Sequence, residues 1–227
     1  YRIGHDLGCA PTAETDGTVG RQGAVCIACG TGVPLKYVRS EGKADRIGAQ
    51  LMATVAEGNR RRVYLPPDEV HVAAAEVPRP EEVPGGELFD WPGRINVYRY
   101  GLTEWSDLFT NRQLVALTTF SDLVSEARER VVKDALEAGM PAGDRLAAGG
   151  TGAEAYGDAV ATYLGMTISR LADLGNALCR WEPNAECPRQ LFARQAIPMV
   201  WDHAEGNPLG GSSGSWKVLL PRPASRW

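Results

Sequence analysis

Cys26 and Cys29 stand two residues apart in AVCIACGTGVPLKY, with Gly30 directly after the pair. Thiolates at this spacing bind one metal ion while the amides of the turn donate hydrogen bonds to the sulfurs. A tetrahedral structural zinc takes four ligands, usually as two such pairs, so Cys26 and Cys29 form a candidate zinc half-site. The blander reading is two unligated thiols in a hairpin. His5 and Cys9 are the in-chain residues that can complete the site, although their spacing is not that of a standard knuckle. Cys179 and Cys187 flank a loop containing Trp and Pro and read as separate thiols.

A second chemistry lies in the basic residues beside that pair: Lys36, Arg39, Lys43 and the triplet Arg60, Arg61, Arg62. Such groups meet nucleic-acid phosphates, contacts that position a duplex without reading its sequence. A solvated surface is the commoner meaning of a charge group. Two other motifs carry less. AGGTG (148–152) follows no hydrophobic strand, so it reads as a linker and not as a phosphate loop. Asn207-Pro208-Leu209-Gly210 lacks the second proline and the aromatic of the D/N-P-P-aromatic tetrapeptide that holds the target amine in amino-methyltransferases, and is not a catalytic motif. His5, His71 and His203 are scattered, and no Ser/His/Asp grouping can be built on them.

The elements that must position these residues read as α+β, mainly helical. GAVCIACGTGVPLKYVR fits a β-hairpin with strands ending at Arg39 and the CxxCG turn between them. SEGKADRIGAQLMATVAEG reads as a helix, with Ser40 as cap, Ile47, Leu51 and Val55 at i, i+4, i+8, and Gly58 at the C′ position. RRRVYLPP is a short strand stopped by Pro66 and Pro67, and DEVHVAAAEV a brief helix capped by Asp68. Residues 77–95 are dense in proline and glycine and read as irregular. Thr110 and Gln113 form a capping-box pattern, after which Leu117, Phe120, Val124, Ala127 and Val131 make an apolar stripe. PAGDRLAAGGTG is a connector. A second stripe runs through Tyr156, Val160, Tyr163, Thr167, Leu171, Leu174 and Leu178. Two long amphipathic helices so joined pack as an antiparallel pair. The expected organisation is a half zinc ribbon with helix and strand over 1–66, an irregular connector over 67–109, a helical body over 110–216 and a tail over 217–227.

Composition narrows the function classes. Hydrophobic residues make up 44% and charged residues 23%, ordinary values for a globular chain of 227 residues. A net charge of -4 argues against a protein that coats nucleic acid, but leaves room for a local basic patch. No apolar run of about 18 residues exists, so neither a membrane span nor a membrane partner is expected. The start, YRIGHDLGCAPTAE, has no basic segment followed by an apolar one, which predicts no secretory signal. With five cysteines, an odd number, the thiols are expected to be reduced and the chain cytoplasmic. Tyr1 in place of an initiating Met points to a processed chain or a piece of a longer one.

Five long blocks, in order, go beyond such patterning: CIACGTGVPLKYVRSEGKADRIGAQLMA, RRRVYLPPDEVH, YGLTEWSDLFTNRQLVALTTFSDLV, YLGMTISRLADLGNALCRW and LFARQAIPMVWDHAEGNPLGGSSGSW. Together, over roughly residues 17 to 216, they resemble the Zn-ribbon-containing, adenine-specific DNA methylase family of bacteria and archaea. In that family a Gly-rich S-adenosylmethionine motif and a first CxxC pair lie upstream of this region, and a D-P-P-Y catalytic motif lies downstream. None of the three is present here. The resemblance therefore implies an interior fragment, inserted between the halves of a Rossmann-like methyltransferase sheet and dependent on those missing halves of the same polypeptide. KVLLPRPASRW departs from the family's continuation, as truncation or a shifted frame near Trp216 would produce.

For the parent, the resemblance implies methyl transfer from S-adenosylmethionine to the exocyclic amine of DNA adenine. For this piece it implies metal-stabilised structure, DNA contact or target recognition, with no catalytic or cofactor-binding residue of its own. Trp201, Asp202, His203 and Asn207, near the expected catalytic side, are candidates for lining the parent's cleft. The alternative is a stand-alone zinc-ribbon and helical module that binds nucleic acid or protein without catalysis.

Overall fold

Short strands closed by turns and two long helices account for the regular structure, in a computed structural model that describes residues 17–59 and 61–220. It is a small α+β fold, about 39% helical, with three small antiparallel hairpins among the described residues. His5, Cys9 and Arg60 lie outside the described residues, as does the tail beyond residue 220. The chain divides into two units. The first holds the described residues up to Pro78 with Gly85–Leu108 and Arg194–Trp201; the second holds Arg79–Pro84, Phe109–Ala193 and the described residues from Asp202 on.

In the first unit β1 (Gly23–Val25) pairs antiparallel with β2 (Gly32–Pro34), Ala24 opposite Val33. Helix α1 (Leu35–Lys43) follows β2 at once, with Pro34 as an extended N-cap. Its less exposed positions include Leu35, Val38, Arg39 and Gly42. That is the i, i+3, i+4, i+7 stripe of a helix lying on a surface. Asp45, at φ 55°, ends α1 in a Schellman turn: the Asp45 amide bonds the Gly42 carbonyl and the Arg46 amide bonds that of Glu41. Arg46 then grips the Glu41 carboxylate with two hydrogen bonds of 2.8 Å.

This corrects the expected strand to Arg39 and helix from Ser40 to Gly58. Ser40 sits inside α1, its hydroxyl donating to the Tyr37 carbonyl at 2.7 Å. Residues 44–53 form no helix or strand. Val55 belongs to β3 (Thr54–Glu57), paired antiparallel with β4 (Arg62–Leu65). Cross-strand pairing of Val55 with Tyr64 and Ala56 with Val63 overrides the weak helical spacing of Ile47, Leu51 and Val55. Gly58 is the hairpin turn, its amide bonding the Arg61 carbonyl at 2.8 Å. Helix α2 (Glu69–Ala75) starts at Asp68, which accepts the His71 amide at 2.7 Å. Further on, Leu88, Ile95, Val97 and Leu108 are buried, and Ile95 bridges in parallel to Ile197.

The second unit is built on α3 (Asn111–Glu137) and α4 (Ala153–Leu174). The Thr110 hydroxyl accepts the Gln113 amide while the Gln113 side chain accepts the Thr110 amide, a complete capping box. The two helices run antiparallel: Leu117 and Phe120 pack with Leu171 near one end, and Val132 and Ala135 with Ala153 near the other. Between the clusters Arg128 binds Asp158 at 2.6 Å and Glu154 beside it. Arg145, from the connector, also binds Asp158, at 2.7 Å.

Helix α4 stops at Leu174, short of the Leu178 to which its stripe was expected to run. Asn176, fully buried, bonds the Ala172 and Asp173 carbonyls through Nδ2 and accepts the Leu178 amide through Oδ1. Such side-chain competition for the backbone ends a helix. Beyond it, β5 (Arg180–Glu182) pairs with β6 (Cys187–Arg189). The short helix α5 (Trp216–Leu219) returns to the pair, where Leu219 joins the Phe120 cluster and Trp216 stacks on Phe120 at 4.6 Å. The start of the expected tail is thus part of the helical body.

Candidate nucleic-acid interface

The CxxC turn closes the β1–β2 hairpin. The Gly30 amide bonds the Cys26 carbonyl at 2.8 Å, the Cys26 amide bonds the Thr31 carbonyl at 2.9 Å, and Gly30 takes φ 71°, which suits glycine. Both thiols are thereby held in one turn, Cys29 exposed and Cys26 half-buried. The Cys29 pKa is lowered from its ordinary value, first by the Thr31 hydroxyl, then by the Thr31 amide and the Cys26 thiol. Amides and hydroxyls aimed at sulfur are what a thiolate ligand requires, so the pair suits two positions of a tetrahedral zinc. No third His, Cys, Asp or Glu joins them among the described residues. Cys179 is a different kind of thiol. It is buried, and its pKa is pushed up to about 11 by that burial.

Helical phase collects the basic residues that follow. Lys36, Arg39 and Lys43 recur at i, i+3, i+7 along α1, which puts them on one face. They line a groove of about 450 Å³ together with Ser40, Asp90 and Arg99. Arg99 comes from a 3-10 turn, Val97–Tyr100, brought against α1 by two glycines. A Cβ at Gly42 would strike the Tyr100 carbonyl, and one at Gly101 would strike the Gly42 carbonyl. Gly101 also takes φ 96°, a conformation open mainly to glycine. The Arg39 guanidinium lies over the Tyr100 ring, 5.5 Å from its centroid, and Trp201 meets the same ring edge-on at 5.3 Å.

The charges of the groove do not cancel. Four cations face one carboxylate, and that carboxylate, Asp90, is 3.9 Å from Arg99. Among the described residues Lys36, Arg39 and Lys43 are in no ion pair, and the buried Nε of Arg39 has no hydrogen-bond partner. Clustered cations without an ion-pair partner raise the local positive potential and attract an anion.

The other expected site residues lie elsewhere. Arg62 pairs with Glu57 across the β3–β4 hairpin at 3.1 Å and Arg61 is in its turn; neither lines the groove. Trp201 belongs to the first unit and backs the Tyr100 ring, whereas Asp202, His203 and Asn207 belong to the second. There Glu205 is held by Arg112 through two bonds of 2.9 Å, with His203 at 3.9 Å. Burial depresses the His203 pKa, and Glu205 only partly opposes this. Asn207 spends its side-chain oxygen on the Leu209 amide at 3.0 Å. The AGGTG stretch is a connector: the first amides of α4, at Ala153 and Glu154, bond the Pro141 and Ala142 carbonyls. Sequence reasoning missed Arg99. Its signal is the glycine pair, Gly42 and Gly101, that brings the two backbones into contact. Among the described residues no helix is long and apolar enough to cross a membrane. No family model, curated protein or solved structure matches this chain.

Proposed function

We propose that this chain is an interior, DNA-contacting part of an S-adenosylmethionine-dependent, adenine-specific DNA methyltransferase, and that the α1 groove receives DNA phosphates. One observation carries the contact: Lys36, Arg39, Lys43 and Arg99 share a groove with a single carboxylate. Lysine and arginine at such a surface hold a duplex in place without reading its bases. The parent's reaction rests on the resemblance of the five sequence blocks. No residue of this chain is assigned to S-adenosylmethionine or to the methyl-transfer step. Cys26 and Cys29 supply two sulfurs to a structural zinc whose remaining ligands come from outside the described residues, which would clamp the β1–β2 turn directly ahead of α1. A metal so placed contributes fold stability and no chemistry.

The test is binding of labelled DNA to the purified chain at low salt. Lys36→Ala, Arg39→Ala and Lys43→Ala should each weaken binding to all sequences alike. No binding at low salt would remove the groove from the account. The parentage has its own test: the chain alone should transfer no methyl group to DNA, and extending it by its flanking sequence should restore transfer. Methylation by the chain alone would overturn the fragment reading.

A further inference from the structure

Asp90 lines the cationic groove, and its two neighbours in sequence are aromatic. Phe89 and Trp91 stack on one another, with ring centroids 5.7 Å apart and planes 25° from parallel. They are 58% and 53% exposed, so the pair is not spent in a core. Their anchorage is firm on either side. Leu88 is buried at 3%, and the Trp91 carbonyl accepts the Arg94 and Ile95 amides at 2.9 Å each. An exposed aromatic pair thus flanks, along the backbone, a residue that lines a groove in which Lys36, Arg39 and Lys43 are in no ion pair among the described residues.

From this adjacency along the chain we infer that the groove and ledge together form a subsite for an unpaired polynucleotide strand, with phosphates in the groove and bases stacked on Phe89 and Trp91. The inference rests on the groove as a phosphate site and adds the form of nucleic acid it prefers. A paired duplex presents phosphates to the groove but keeps its base faces stacked on one another, out of reach of a side-chain ring. An unpaired strand offers both. Stacking on aromatic side chains beside a positively charged track is the general means of holding single strands, and it is tolerant of sequence because every base has a π-face. The ledge carries no charge of its own, so it contributes preference between strand forms and not salt dependence.

Fluorescence anisotropy of the whole chain with a labelled oligothymidylate, and with a duplex of equal phosphate number, tests this. The expected result is at least about tenfold tighter binding of the single strand. Phe89→Leu and Trp91→Leu keep apolar bulk at these exposed positions while removing the stacking face. Each should cut single-strand affinity by about tenfold to a hundredfold, and the double variant should erase the preference with the salt slope retained. Equal binding of both forms by the unaltered chain, or a preference that survives the double variant, overturns the ledge and leaves the groove in place. Failure of both forms to bind at low salt overturns the groove and the ledge alike.

Discussion

The two kinds of cysteine show how local surroundings, more than residue type, decide reactivity. Cys29 is exposed and its thiolate is favoured by Thr31 and Cys26, whereas Cys179 is buried with a pKa of about 11. A limiting dose of iodoacetamide should therefore modify Cys29 well before Cys179, as peptide mass spectrometry would show. Thr31→Val removes the largest favourable contact, so the pH midpoint of Cys29 alkylation should rise. Zinc should protect Cys26 and Cys29 together. Asp158 is another residue whose surroundings set a pH dependence. Arg145 and Arg128 hold its carboxyl at about 2, below its ordinary 3.8. Because the folded-state value is depressed, this stabilisation is present above about pH 4 and is lost as pH falls towards about 2. Urea unfolding followed across that window should show the loss, and Asp158→Asn should reduce the slope.

At the scale of elements, the caps and close approaches carry the argument. Thr110→Ala deletes half of the α3 capping box and should cost about 1 kcal/mol in urea unfolding. Gly101→Ala forces a side chain into φ 96° and against the Gly42 carbonyl, so the cost should be about 1–3 kcal/mol, with weaker DNA binding as Arg99 leaves α1. A smaller cost with unchanged binding would detach the glycine contact from the groove. Much of this level is legible in the sequence. Thr110 with Gln113, Asp68 before α2, and the stripe of α3 are local signals that tertiary packing reinforces, whereas in the expected α4 stripe Thr167 and Leu171 are buried but Tyr156 and Tyr163 are exposed. Helix α1 is not legible in the same way. Its run LKYVRSEGK follows a strand without a turn, and its end at Asp45 depends on a left-handed residue of a type that glycine usually supplies. Reading strand to Arg39 and helix from Ser40 puts Lys36 and Arg39 on opposite strand faces and Lys43 on a different element. Only the helical phase gathers them, so three of the groove's four cations were legible as residues, but neither Arg99 nor the surface was.

The whole molecule separates its roles between two units. The first carries the CxxC turn, the groove and the aromatic ledge; the second is a helix pair locked by Arg128, Asp158 and Glu154. A formal charge of -4 over the chain coexists with a groove of four cations and one carboxylate, so the proposed contact with DNA is local and should be sensitive to salt. Arg99 could not be placed there from its sequence neighbours, since a contact between segments more than fifty residues apart is set by the fold. The most direct measurement is the salt dependence of DNA binding by the whole chain. The logarithm of the binding constant should fall against the logarithm of salt concentration with a slope of about -3, as four cations offset by Asp90 require. In the Lys36→Ala, Arg39→Ala, Lys43→Ala triple variant most of that slope should vanish along with the affinity. An unchanged slope in the triple variant would contradict the account.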